Sequence, residues 1–153
     1  MNTKYAILIA SLLAAPNVQA SGGSESFAAT NTKWKVECSA CHIAYPPKLL
    51  PASSWKAMMG GLDKHFGTDA SLDASSTTEI LAFLQKNASS RKPEPSAKPQ
   101  LRITETRWFQ SEHDEVPVRL WKDPRVKSPS NCAACHTQAE SGNFNEHNIQ
   151  LPR

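Results

Sequence analysis

Apolar positions recur at helical spacing in several short stretches of this chain, parted by prolines and polar runs, and the pattern predicts an all-α fold. The first helix begins near Asn31 or Thr32 and runs through Trp34 and Val36 to Cys38 and beyond. Tyr45-Pro46-Pro47 and Pro51 then impose an extended loop, because a proline disfavours helix at the residue before it. Ser53 or Ser54 caps a second helix, whose apolar positions Trp55, Met58, Met59, Leu62 and Phe66 keep helical spacing. His65 falls on that same inward face, and Gly60-Gly61 weakens the helix ahead of it. The third helix has the plainest periodicity. Asp73 or Ser76 starts it, Ser76-Thr77-Thr78-Glu79 matches a capping box, and Ile80, Leu81, Phe83 and Leu84 form its stripe.

Residues 87–100 are polar and proline-rich, and 89–100 read as a linker between an N-terminal lobe, 21–88, and a C-terminal lobe, 101–153. In the second lobe Thr104 or Thr106 opens a short helix carrying Trp108, Phe109 and His113, stopped by Pro117. Ser128-Pro129 reads as an N-cap followed by proline at the first helical position, leading into Cys132, and Gly142 ends that helix. The stretch 21–30 reads as a flexible start, and the tail to Arg153 as polar and irregular. With 39% apolar residues and eleven prolines in 153, the chain does not supply a large all-protein core.

Two pentapeptides supply what the core lacks. Cys38-Ser39-Ala40-Cys41-His42 and Cys132-Ala133-Ala134-Cys135-His136 use every cysteine in the chain, and Cys-x-x-Cys-His is the attachment motif of c-type haem. Two thiols bond the haem vinyl groups and the following imidazole reaches the iron. On a helix, positions i, i+3 and i+4 share one face, so all three meet one porphyrin edge. The chain is therefore expected to carry two covalently bound haem c groups, each organising one small lobe. A structural zinc site built on the Cys-x-x-Cys pairs fits less well, because a histidine directly follows each pair.

Residues 1–20 read as a cleaved signal peptide: Lys4 gives the positive start, Tyr5 to Ala15 the apolar run, and Val18-Gln19-Ala20 the small-residue site. The run is too short to span a bilayer, so no stable membrane insertion is expected after cleavage. Covalent haem attachment by this motif takes place outside the cytoplasm, so signal and motif agree on the periplasm. The formal charge is +3, and +2 once Lys4 is removed with the signal, without a concentrated basic stripe. Nucleic acid is not an expected partner. Arg119, Lys122, Arg125 and Lys127 make a basic stretch suited to haem propionates, to an acidic partner, or simply to solvent.

His42 and His136 come with the motifs, leaving His65, His113 and His147 for two distal iron positions. We assign His65 to the first haem and His113 to the second. His65 sits downstream in the same lobe, and His113 lies between linker and second motif. Met58 and Met59 stand as alternatives to His65. A solvated role is the alternative for His113, which lies among Glu112, Asp114 and Glu115. His147 belongs to the polar tail and is not assigned. A carbonyl near Pro46 is the expected acceptor for the Nδ1 proton of His42. Tyr45, Trp55 and Phe66 are expected around the first haem, and Trp108, Phe109 and Trp121 around the second.

Residues 37–51 and 61–67, Trp108-Phe109, Glu112-His113-Asp114-Glu115 and residues 127–136 together resemble the small bacterial dihaem cytochrome c family. The resemblance implies a cytochrome-c-like N-terminal lobe, a C-terminal lobe of short helices and much irregular chain, and two bis-histidine haems. It also implies redox partner proteins, among them an oxygen-binding monohaem cytochrome of the sphaeroides haem protein type and a membrane b-type cytochrome. The function expected is low-potential electron transfer. No catalytic residue is assigned. The competing function is a small haem enzyme, a peroxidase or reductase, with one displaceable distal ligand and Glu112, Asp114 or Glu115 beside it.

Overall fold

The computed structural model describes residues 27–92 and 98–152; the signal-like segment 1–20, residues 21–26 and the middle of the linker lie outside the described residues. The fold is helical, and the strand-like pairings among the described residues are isolated bridges rather than a sheet.

Helix α1 spans Thr32–Cys38 and starts where the Asn31 side chain accepts the Trp34 N–H at 2.8 Å, satisfying a donor that the first turn leaves free. After a short 3₁₀ turn at Pro47–Leu49, α2 spans Ala52–Met59. Neither Ser53 nor Ser54 caps it. Pro51 holds the cap position with its ring-fixed φ of −70°, and Ser54 is buried with its hydroxyl unpartnered. The helix stops at Gly60 instead of continuing to Phe66, because Leu62–Lys64 tighten into a 3₁₀ turn. Phe66 then takes a left-handed φ of 49° and is 47% exposed, under the Arg102 guanidinium at 4.3 Å.

Helix α3 spans Ala74–Lys86, and Asp73 is its cap. The Asp73 carboxylate accepts the Ser76 N–H at 2.9 Å and the Ser76 hydroxyl at 2.6 Å, so Ser76 lies inside the helix and not at the head of a capping box. Helices α2 and α3 form the main packed pair. With Trp34 of α1 they enclose one core of Trp34, Leu50, Trp55, Met59, Ile80 and Leu84, in which Leu50 and Ile80 are fully buried. The Trp55 indole satisfies its N–H within this core by donating to the Pro47 carbonyl at 2.7 Å.

The second half has little core of its own. Helix α4 spans Arg107–Glu112 and is capped by Thr106, whose hydroxyl accepts the Phe109 N–H at 3.1 Å. It ends at Glu112, ahead of Pro117, which instead caps the unforeseen single-turn helix α5, Val118–Trp121. No helix grows from Ser128. Lys127 has a left-handed φ of 64°, and the Ser128 hydroxyl accepts the Ser130 N–H two residues on, as in a turn. Beyond it the chain makes only 3₁₀ turns, at Cys132–Ala134, Ala139–Ser141 and Glu146–Asn148. Gly142 does end the middle one, with φ 75°.

Several contacts tie the two halves together. Phe27, expected in a flexible start, is buried against Trp108 and Phe144 at centroid distances of 5.8 and 5.3 Å. A Cβ on Gly142 would stand 3.0 Å from the Phe27 carbonyl oxygen, so glycine there serves this packing as well as its own φ. Arg91, at the start of the proline-rich stretch, donates to the Lys48 carbonyl at 3.1 Å and covers the Trp108 ring at 4.2 Å. Replacing Ile80 by alanine removes a fully buried side chain from the α2–α3 core. The expected loss is about 2–5 kcal/mol in denaturant unfolding of the holoprotein, followed by far-ultraviolet circular dichroism.

Candidate haem-binding cleft

Both pentapeptides open onto one cleft of about 730 Å³, lined from the first half by Trp34, Cys38, His42 and His65 and from the second by Cys132, His136 and others. Apart from Cys38, neither motif lies on an α-helix. Cys38 is the last residue of α1, with Ser39, Ala40 and Cys41 in a turn and a bend at His42. At the second motif one 3₁₀ turn does the same work. The N–H groups of Cys135 and His136 both donate to the Cys132 carbonyl, at 3.2 and 2.8 Å, which keeps positions i, i+3 and i+4 together. The polar tail holds that motif from outside: the Gln150 N–H donates to the Cys135 carbonyl at 2.9 Å, and Ile149 bridges His136.

The structure pairs four histidines that lie far apart in sequence. His42 and His65 face each other with ring centroids 6.1 Å apart and planes 26° from parallel. His113 and His136 are also 6.1 Å apart, with planes at 75°. A metal–imidazole bond of about 2 Å, plus roughly 1.1 Å from nitrogen to ring centre, sets two trans imidazoles about 6 Å apart. The donor set therefore fits an iron between each pair.

Each pair has one anchored ring and one that is not. His42 Nδ1 lies 2.6 Å from the Ile43 carbonyl, since the bend at His42 turns the next carbonyl, and not one near Pro46, onto the ring. His113 Nδ1 lies 2.8 Å from the Phe109 carbonyl, one helical turn back. An Nδ1–H donated to a carbonyl leaves Nε2 with its lone pair free for a metal. His65 and His136 have buried Nδ1 atoms without a partner. Burial, and secondarily the facing imidazole, lower the pKa of both, which favours the neutral form that binds metal.

No disulfide joins any two of the four cysteines, which leaves each sulfur for thioether attachment. Burial pushes Cys38 and Cys132 up to about 11, and raises Cys135 as well. Among the described residues, no three His, Cys, Asp or Glu side chains converge on a point as a bare zinc ion would require.

The aromatic shell is partly as expected. Tyr45 stacks on His42 at 4.6 Å, Phe66 meets His65 edge-on at 4.9 Å, and Trp55 and Trp108 line the cleft. Phe109 stacks on His113 at 4.0 Å, with Trp121 at 6.0 Å from the same ring. Phe144, 5.2 Å from His136, was not foreseen, because a lone aromatic in a polar tail carries no periodic signal. Met59 belongs to the buried core and Met58 packs at its margin, both reaching the cleft wall. His147 also reaches the wall, with its Nδ1 held 2.8 Å from Asn145 Oδ1. In the basic stretch, Arg125 is engaged by Asp123 through contacts of 2.9 and 2.6 Å.

Comparison with known proteins agrees with this chemistry. Residues 34–144 match the profile of the family described as dihaem cytochrome c. A diheme cytochrome c from Rhodobacter sphaeroides superposes with a TM-score of 0.70 at 45% identity, covering 76% of this chain and 98% of its own. The diheme cytochrome c of Shewanella baltica OS155 also gives 0.70, at 40% identity, over 80% of this chain and 93% of its own. A search of curated proteins returned no match. The chain belongs to the dihaem cytochrome c family and carries two covalently attached haem c groups.

Proposed function

We propose that this protein is a periplasmic, low-potential electron carrier whose two haems are each ligated by two histidines. Cys38 and Cys41 tether the first haem, with His42 and His65 on its iron. Cys132 and Cys135 tether the second, with His136 and His113 on its iron. The observation that carries this reading is the equal 6.1 Å spacing of the two imidazole pairs. It favours His65 over Met58 and Met59, and it gives His113 a task beyond that of a solvated residue among carboxylates.

Two histidines on each iron leave no open position for a substrate, so reversible one-electron transfer is the chemistry the bound groups supply. The protein's own residues hold the rings, exclude water with Trp34, Trp55, Phe109 and Phe144, and favour the neutral form of His65 and His136 by burial. A bis-histidine set lacks the methionine sulfur that raises potential in His/Met cytochromes, which places both couples lower. Export through residues 1–20 agrees with the motif chemistry, and no described helix is long and apolar enough to cross a membrane. The family resemblance suggests an oxygen-binding monohaem cytochrome and a membrane b-type cytochrome as redox partners.

Replacing His65 or His113 by alanine should each convert one haem from low-spin to high-spin while leaving the other low-spin. Visible and electron paramagnetic resonance spectra of the oxidised protein check this, and an unchanged low-spin spectrum in either variant removes that ligand. In a spectroelectrochemical titration of the wild type, both couples should fall below the His/Met range; two high couples would overturn the ligand set.

A further inference from the structure

We propose that Tyr45 is the positioning residue that ties the first histidine pair to the attachment loop of the second haem. Its ring and its hydroxyl act on different sites. The ring lies on the His42 imidazole at 4.6 Å, with the planes only 24° apart. The hydroxyl donates to the Ser130 carbonyl at 2.7 Å, across 85 residues of sequence. That same carbonyl accepts from the Cys132 thiol, at 3.6 Å. One half-buried side chain thus spans from a histidine of the first pair to the residue two positions ahead of the second motif's leading cysteine.

The chemistry of attachment strengthens this bridge. A free Cys132 thiol competes with Tyr45 for the Ser130 oxygen. A thioether has no S–H to donate, so attachment removes one competitor and leaves the carbonyl to the Tyr45 hydroxyl at 2.7 Å and the Cys132 N–H at 3.0 Å. Ser130 sits in a loop without helical support, between the left-handed Lys127 and the 3₁₀ turn at Cys132–Ala134. There the Tyr45 bond adds a long-range tie to the local contacts of Ser130 with the Ser128 hydroxyl and the Cys132 N–H. On the other side, the Nδ1 contact to Ile43 and this stacking both act on the plane of the His42 ring.

The first half of this inference rests on His42 being an iron ligand; the hydrogen bond to Ser130 does not. Two variants of the holoprotein separate them. Tyr45→Phe keeps the stacking and removes the donor. Amide hydrogen exchange over residues 130–135 should quicken by roughly two- to tenfold, the range of one hydrogen bond, while the low-spin g-values of the first haem hold. Tyr45→Leu removes the ring as well, and those g-values should shift because the His42 plane is released. Exchange unchanged in Tyr45→Phe, or g-values unmoved in Tyr45→Leu, would overturn the proposal. A high-spin first haem in the wild type would fail the ligand reading instead, and the exchange measurement would still decide the bridge.

Discussion

Two imidazoles facing each other 6.1 Å apart across an apolar cleft gain nothing from one another. They are too far apart to hydrogen-bond, the facing ring disfavours protonation of His65 and of His136, and in each pair one Nδ1 is buried with no partner. Placing polar rings in this way costs stability unless something between them accepts their lone pairs. In the ligation proposed above an iron would take one lone pair from each ring and offset part of that cost, and the rest of the chain serves to present the rings. Helix α1 delivers Cys38 to the cleft, α4 ends on His113, and the 3₁₀ turn after Gly61 delivers His65.

The two halves meet that demand by different means. The first half owns a protein core, the α2–α3 pair closed by Trp34, and its histidines stand at the edge of a structure that packs by itself. The second half has six short elements and few buried apolar side chains, chiefly Phe109, Val126 and Ala139. Here prolines, capped turns and the returning tail at Ile149 shape the chain around the cleft onto which the second motif opens. Phe27, Arg91 and Tyr45 cross from one half to the other, so the more irregular half also leans on the better packed one.

Much of the first half was legible because its signals are local. Asn31 as a cap, the apolar stripe of α3 and the loop forced by Pro46, Pro47 and Pro51 need only neighbouring residues to take effect. The same local reasoning misled at Ser54, at Ser76 and at Ser128. A serine is an equally good cap, turn former or buried hydroxyl, and the choice depends on what stands beside it: Pro51, Asp73 and the left-handed Lys127 respectively.

The sequence by itself determined the cofactor chemistry and its number, since two Cys-x-x-Cys-His motifs with no spare cysteine define where haem is bonded whatever the fold around them. It also narrowed the remaining ring nitrogens to three histidines. Only the tertiary structure decided which of those face the motif histidines, that Ile43 and Phe109 orient the anchored rings, and that Phe27, Phe144 and the Tyr45 hydroxyl bear on the second site. Those relations join residues tens of positions apart through single contacts. A contact of that kind leaves no period, cap or motif along the chain, and it exists only once the chain has closed on itself.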